Sequence, residues 1–270
     1  MKYMTFNSAC AFAGVANLLS LHGVEAEDRD IALGMQLPWM LEYNQAEDAF
    51  AAGPMLQSAD WFDLYLRPRG FRLVEREFAK EQVPEQLNQA TMLGLLVTER
   101  SRHAVIFQKK VGETYHFLNN KWQQSPETET LELTGEELLS RLTERVMLGK
   151  LEACEPKTVN FQPLLERSFE NWALLGKRVE AFAVTEQSVE AQLKAMNALF
   201  RPLLLDGLTM MELLGDAGQT ALLRQLQGQY LKAAARREPL ILGRELDLKQ
   251  IAQAVEGFRG HILKALSHQE

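Results

Sequence analysis

The stretch Asn7-Ser8-Ala9-Cys10-Ala11-Phe12-Ala13-Gly14-Val15-Ala16-Asn17-Leu18-Leu19-Ser20-Leu21-His22-Gly23 decides how the first half of the chain is read. Asn7 or Ser8 is placed to cap a helix, and Gly23 supplies its left-handed stop. Phe12, Val15, Ala16, Leu19 and Leu21 are apolar all round, which predicts a buried helix rather than a surface one. Cys10 then stands at the helix N-terminus, where unpaired N–H groups and the positive end of the macrodipole favour a thiolate. Cysteine is also a common small core residue, so a nucleophile needs a base and a group to orient that base elsewhere in the chain.

The 270 residues have room for one large domain or two modest ones, and 46% hydrophobic with 24% charged residues is an ordinary globular balance. A net charge of -7 argues against nucleic acid or an anionic membrane as partner. The first residues lack the apolar run of a signal peptide, and no uninterrupted apolar stretch is long enough to span a bilayer. Two cysteines, Cys10 and Cys154, make no disulfide framework, so the expected compartment is the cytoplasm with both thiols reduced.

Outward from the first helix, residues 25–34 read as a second short helix. Residues 37–43 form an aromatic extended segment whose Trp39 and Tyr43 serve a core or a cleft. A helix is expected within 55–67, stopped by Pro68 and Gly70, then a strand over 71–78 and a short helix opened by Pro84. From Met92 the pattern turns to strands: 92–97, 103–107, 115–120 and 129–133, the middle two a hairpin around Val111-Gly112. Thr134 and Glu137 form a capping box for a helix expected to run through Arg145. After Lys157 the apolar residues recur three and four apart, predicting helices over 161–183, 186–205, 207–214, 219–237 and 248–266, with Asp216 and Asp247 as caps. His261 and His268 are expected on a solvated face. The fold class is therefore α+β followed by an all-helical C-terminal domain, divided as 1–155 and 156–270.

Three histidines fall in the first domain. His22 is at the far end of the Cys10 helix and cannot reach the sulfur, and His116 sits mid-strand as a core histidine. His103 opens a strand directly after a polar loop, where side chains project into clefts. If Val111-Gly112 is a two-residue turn, Lys110 pairs with Glu113 and His103 falls opposite Asn120; a one-residue change substitutes Asn119. Parity with this turn favours Asn120.

A buried helix led by cysteine, then His103-Ala104-Val105, then Asn120-Lys121-Trp122 after the next strand, resembles the papain-like cysteine peptidases. The compact first domain, with its cysteine near the start, is similar to the bacteriocin-leader peptidase branch of that fold. The run Cys10 to Asn17, with Ala32-Leu33-Gly34 and Leu41-Glu42-Tyr43, most resembles the N-terminal domain of butirosin-biosynthesis-type acyltransferases. The resemblance covers about the first 145 residues and implies a papain-like fold with Cys10 as nucleophile, His103 as base and Asn120 as orienting residue. One position departs: those peptidases carry a glutamine six residues before the cysteine to stabilise the oxyanion, and Met4 stands there. Asn7 or a backbone N–H near Cys10 then takes over, or hydrolysis is impaired, since one such donor is worth about 2.7–4 kcal/mol of barrier.

The implied function is acyl transfer through an acyl-cysteine, on a peptide, amide or acyl thioester, passed to water by a peptidase or amidase or to an amine by an acyltransferase. No cofactor or metal is expected. The alternative is an inactive papain-like domain that binds a peptide or acyl chain, with the helical half as an interaction module or homo-oligomer contact. Cys154, between Glu152 and Glu155, is expected to stay a thiol and so to differ from Cys10 in reactivity.

Overall fold

A computed structural model describes residues 1–6, 10–99, 101–182, 188–238 and 248–267. It is a mixed helix-and-sheet fold: a six-stranded antiparallel sheet with short helices in the first part, and helices throughout the described residues after 153.

The chain forms two compact units. The first comprises Met1–Met35 and Gln57–Val159; the second comprises Gln36–Leu56 and Asn160–Glu270. The units are therefore discontinuous, and a single cut at 155/156 is not how they divide. Residues 36–56 leave the first unit because their polar and aromatic groups are tied to the long helix over 162–180, as described below.

In the first unit, α1 (Cys10–Leu21) and α2 (Asp28–Gly34) precede α3 (Ala59–Leu66) and strand β3 (Phe71–Ala79). A short α4 (Val83–Gln86) leads to β4 (Thr91–Thr98), β5 (Ser101–Val111), β6 (Thr114–Asn119), β7 (Thr130–Thr134), α5 (Gly135–Ser140) and β8 (Arg145–Ala153). The sheet order is β3-β8-β4-β5-β6-β7. The helix capped by Thr134 ends at Ser140, not Arg145, and β8 follows where no strand was expected. Its Val146, Leu148 and Leu151 are buried, and it takes a central place between β3 and β4. One face of the sheet closes over an apolar core that includes Leu93, Leu95, Val105, Phe107, Phe117 and Leu148. Helix α1 is buried from Phe12 to Leu19, as its apolar circumference requires, and packs on β5 and β8.

In the second unit, the extended segment expected over 37–43 is a single 3-10 turn at Leu37–Trp39 running into a strand. That strand, β1 (Leu41–Asn44), forms a hairpin with β2 (Ala49–Ala52), so this unit is not all-helical. Among the described residues after 160 lie helices α6 (Gln162–Glu180), α7 (Val189–Arg201), α8 (Gly207–Leu214), α9 (Ala217–Arg236) and α10 (Leu248–Ser267), with a π-helical turn at Pro202–Asp206 joining α7 to α8. The hairpin is held to α6 by specific bonds. Trp172 Nε1 donates to the Trp39 carbonyl at 3.1 Å, Asn171 to the Leu41 carbonyl at 2.7 Å, and the Leu41 N–H to Ser168 Oγ at 3.2 Å. Trp172 stacks on Phe258 of α10 with ring centroids 4.1 Å apart. Tyr43 lies against Phe50, and Arg178 of α6 caps its ring, so the aromatics of this segment belong to the helical unit. Asp216 caps α9 through the Gln219 N–H as expected, and His261 is half-buried rather than on a freely solvated face, its Nε2 2.8 Å from Asp216 Oδ2. Asp247 and His268 lie outside the described residues.

Candidate functional site

Helix α1 begins at Cys10, and Cys10, Gly14 and Asn17 follow one another at i, i+4 and i+7, forming one stripe along it. Strand β5 presents His103 near its start, and β6 ends at Asn119. The topology thus brings together Cys10, His103 and Asn119, residues that stand far apart in the sequence.

His103 Nε2 lies 2.7 Å from the Asn119 side-chain oxygen. The Asn119 amide nitrogen donates to the Thr128 carbonyl at 3.0 Å, which fixes the amide with its oxygen toward the ring. Nε2 must therefore carry the proton, leaving Nδ1 for the hydrogen bond between His103 and Cys10. The Cys10 sulfur also accepts the Ala104 N–H at 3.3 Å and the Ala11 N–H. Burial alone raises the thiol pKa, but the His103 bond, the nearby imidazole charge and the two backbone donors outweigh it, and the net shift is downward. Burial likewise lowers His103, and the Cys10 sulfur, Asn119 and the Glu127 charge outweigh that and carry it upward. Each member of the pair is drawn toward its charged form.

Asn120 is not the residue that orients the imidazole. It is fully buried, donates to the Ala104 carbonyl at 3.0 Å and accepts from Asn17 at 2.9 Å. The turn falls at Gly112-Glu113 rather than Val111-Gly112, so Lys110 pairs with Tyr115. A bulge between Phe107 and Lys109 then shifts the register and sets Val105 opposite Asn119. His103, two residues from Val105, shares that face and meets Asn119 on the diagonal. Asn7 lies outside the described residues. Met4 is buried; its N–H donates to the Lys121 carbonyl at 3.0 Å, and its thioether offers no donor for an oxyanion. His22 is exposed against Phe71, and His116 is only half-buried, with Nδ1 3.4 Å from Glu132.

An open groove of about 760 Å³ starts at His103 and Asn119 and is lined on its apolar side by Leu95, Val97, Leu131 and Trp122. Among the described residues no group of three His, Cys, Asp or Glu side chains is arranged to hold a metal ion, and no helix is long and apolar enough to cross a membrane. Asn17 is the site residue that sequence reasoning missed, and Asn119, the alternative it left open beside the favoured Asn120, is the one the structure sets against His103. A single asparagine in an otherwise apolar buried helix, seven residues after the cysteine, was the available signal for Asn17.

No family model matches the chain, and no curated protein matches it. Among solved structures, it is similar to the peptidase domain of Streptococcus ComA, a bi-functional ABC transporter involved in a quorum sensing pathway. The identity is 13% and the TM-score 0.37, over 55% of this chain and 96% of that one, a likeness too loose to bear on the activity of this chain.

Proposed function

We propose that the chain is a cysteine-nucleophile acyl-transfer enzyme. The observation that carries this reading is the convergence of Cys10, whose sulfur accepts the N–H of the residue after His103, with a His103 ring bonded to Asn119, the amide orientation of Asn119 being fixed independently. The Cys10 thiolate adds to an acyl carbon, and the His103 imidazolium gives its proton to the leaving group as the carbon–leaving-group bond breaks. Neutral His103 then takes a proton from the incoming water or amine as that nucleophile displaces the sulfur, which returns to thiolate. Asn119 holds the imidazole in the tautomer that both steps need. The groove beside His103 suits an apolar acyl chain or side chain. Hydrolysis corresponds to the bacteriocin-leader peptidase resemblance and amine acylation to the butirosin-type resemblance.

Met4 supports a second reading. Without a side-chain donor at that place, the domain binds an acyl or peptide ligand and turns it over slowly or not at all. Both readings are tested by exposing native protein to an activated acyl ester, with and without hydroxylamine, and following intact mass. Acylation of one equivalent, mapped to Cys10, absent in Cys10→Ser and discharged faster by hydroxylamine than by water, supports the transfer enzyme. No adduct in folded protein supports the binding domain.

A further inference from the structure

Residue 104 lies where the β5–β6 ladder stops. Asn119 is the last paired residue of β6, and the Lys121 N–H folds back to the Asn119 carbonyl at 2.8 Å, so the chain turns away at Asn120. In a strand, the N–H and C=O of one residue point to the same neighbour. At Ala104 that neighbour is missing, and two side chains replace it: the Cys10 sulfur takes the N–H, and the Asn120 amide takes the C=O. The Asn120 amide is itself oriented, because its oxygen accepts from Asn17. Asn17 is fixed in turn by both backbone polar groups of Lys2, accepting its N–H at 2.7 Å and donating to its carbonyl at 3.0 Å. Since Cys10 and Asn17 are on the same helix, the bonds form a closed ring: α1, Asn17, Asn120, Ala104, Cys10 and back to α1. Gly14, between them on the stripe, lets the helix come close; a Cβ there would stand 3.0 Å from the Asn120 amide nitrogen.

We infer that Asn120, oriented by Asn17, is a positioning residue that holds Ala104 so that its N–H is aimed at the nucleophilic sulfur. The inference rests on the reading of Cys10 as a nucleophile and adds to it a part of the site beyond the Cys-His-Asn series. Removing the Asn120 amide leaves the Ala104 carbonyl, which is buried, without its donor, and residue 104 must turn to find another. The N–H then leaves the line to the sulfur, and the thiolate loses a donor while His103 and Asn119 keep theirs. Asn120→Ser retains a short donor, and Asn17→Ala leaves Asn120 in place but free to rotate.

The test is the rate of Cys10 carboxamidomethylation by iodoacetamide from pH 5 to 9 in the full chain, with folding checked by circular dichroism. Asn120→Ala is expected to move the midpoint up by about half a pH unit, a roughly threefold loss of rate below the midpoint. Asn17→Ala shifts it less, in the same direction, and Asn120→Ser recovers part of the loss. A merely structural role would lower stability and leave the midpoint in place. A depressed wild-type midpoint that folded Asn120→Ala leaves unmoved overturns the positioning role alone; if that variant does not fold, an unmoved midpoint in Asn17→Ala overturns it. A wild-type midpoint at the free-thiol value removes the nucleophile reading and this inference together.

Discussion

Cys10 in the sheet unit and Asp206 in the helical unit are both withdrawn from water, yet the thiol is drawn toward its charged form and the carboxyl away from it. Asp206 sits at the end of the π-helical turn with Arg201 Nε 3.3 Å away. Burial raises its pKa to about 6, and the single guanidinium contact offsets only part of that. Cys10 pays the same kind of desolvation penalty but has His103 and two backbone N–H groups directed at its sulfur. One partner at the edge of hydrogen-bond range does not hold a buried charge, whereas several oriented donors do. The same comparison separates a structural ionisable group from one arranged for chemistry.

The largest effect expected from breaking this comparison is at His103. His103→Ala removes both the hydrogen bond and the charge beside the sulfur, and alkylation of Cys10 near pH 6.5 should fall by at least about tenfold, with no acyl adduct formed. Retention of the wild-type rate in the folded variant would show that the backbone donors alone set the thiol.

The next effect lies in the helical unit. The folded pKa of Asp206 is raised above its unfolded value, so the native state binds the proton more tightly. Its contribution to stability is present below about pH 4 and is lost as pH rises through about 6, amounting to up to about 3 kcal/mol. Asp206→Asn should flatten urea-unfolding stability between pH 4 and 7.5 relative to wild type, and parallel profiles would refute the burial argument. A smaller change is expected from Asn119→Ala, which deletes one hydrogen bond to the ring. Cys10 alkylation should slow by up to about tenfold while the fold is kept.

Much of this arrangement was legible in the sequence because hydrophobic period and capping report local structure. The helix led by Cys10, the strand opened by His103 and the helices after 157 fall close to where their residues place them. Three features were not legible. The first is β8: Val146, Leu148 and Leu151 are spaced ambiguously, and the Thr134 capping box marks where a helix begins but not where it ends. The second is the choice of asparagine. Moving the turn by one residue changes every pairing but keeps the parity of the faces, so His103 would still meet Asn120. The bulge at Phe107/Lys109 reverses that parity and brings Asn119 to the ring. A bulge is selected by tertiary packing and leaves no mark in a residue count. The third is that the extended segment over 37–43 forms a hairpin docked on α6, since its place is set by partners more than a hundred residues away.

The most direct test of the central claim uses the two free cysteines as each other's control. Cys10 is held by His103 and two N–H groups, whereas Cys154, just past the end of β8, has the Arg67 side chain beside it among the described residues. Limited iodoacetamide treatment of native protein, read by peptide mass from pH 5 to 9, gives a rate profile for each. A Cys10 midpoint below the free-thiol value of about 8.5, with Cys10 labelled ahead of Cys154 near pH 6.5, is the predicted result. Cys10 unlabelled in folded protein while Cys154 reacts would contradict it, and would make Cys10 a core residue.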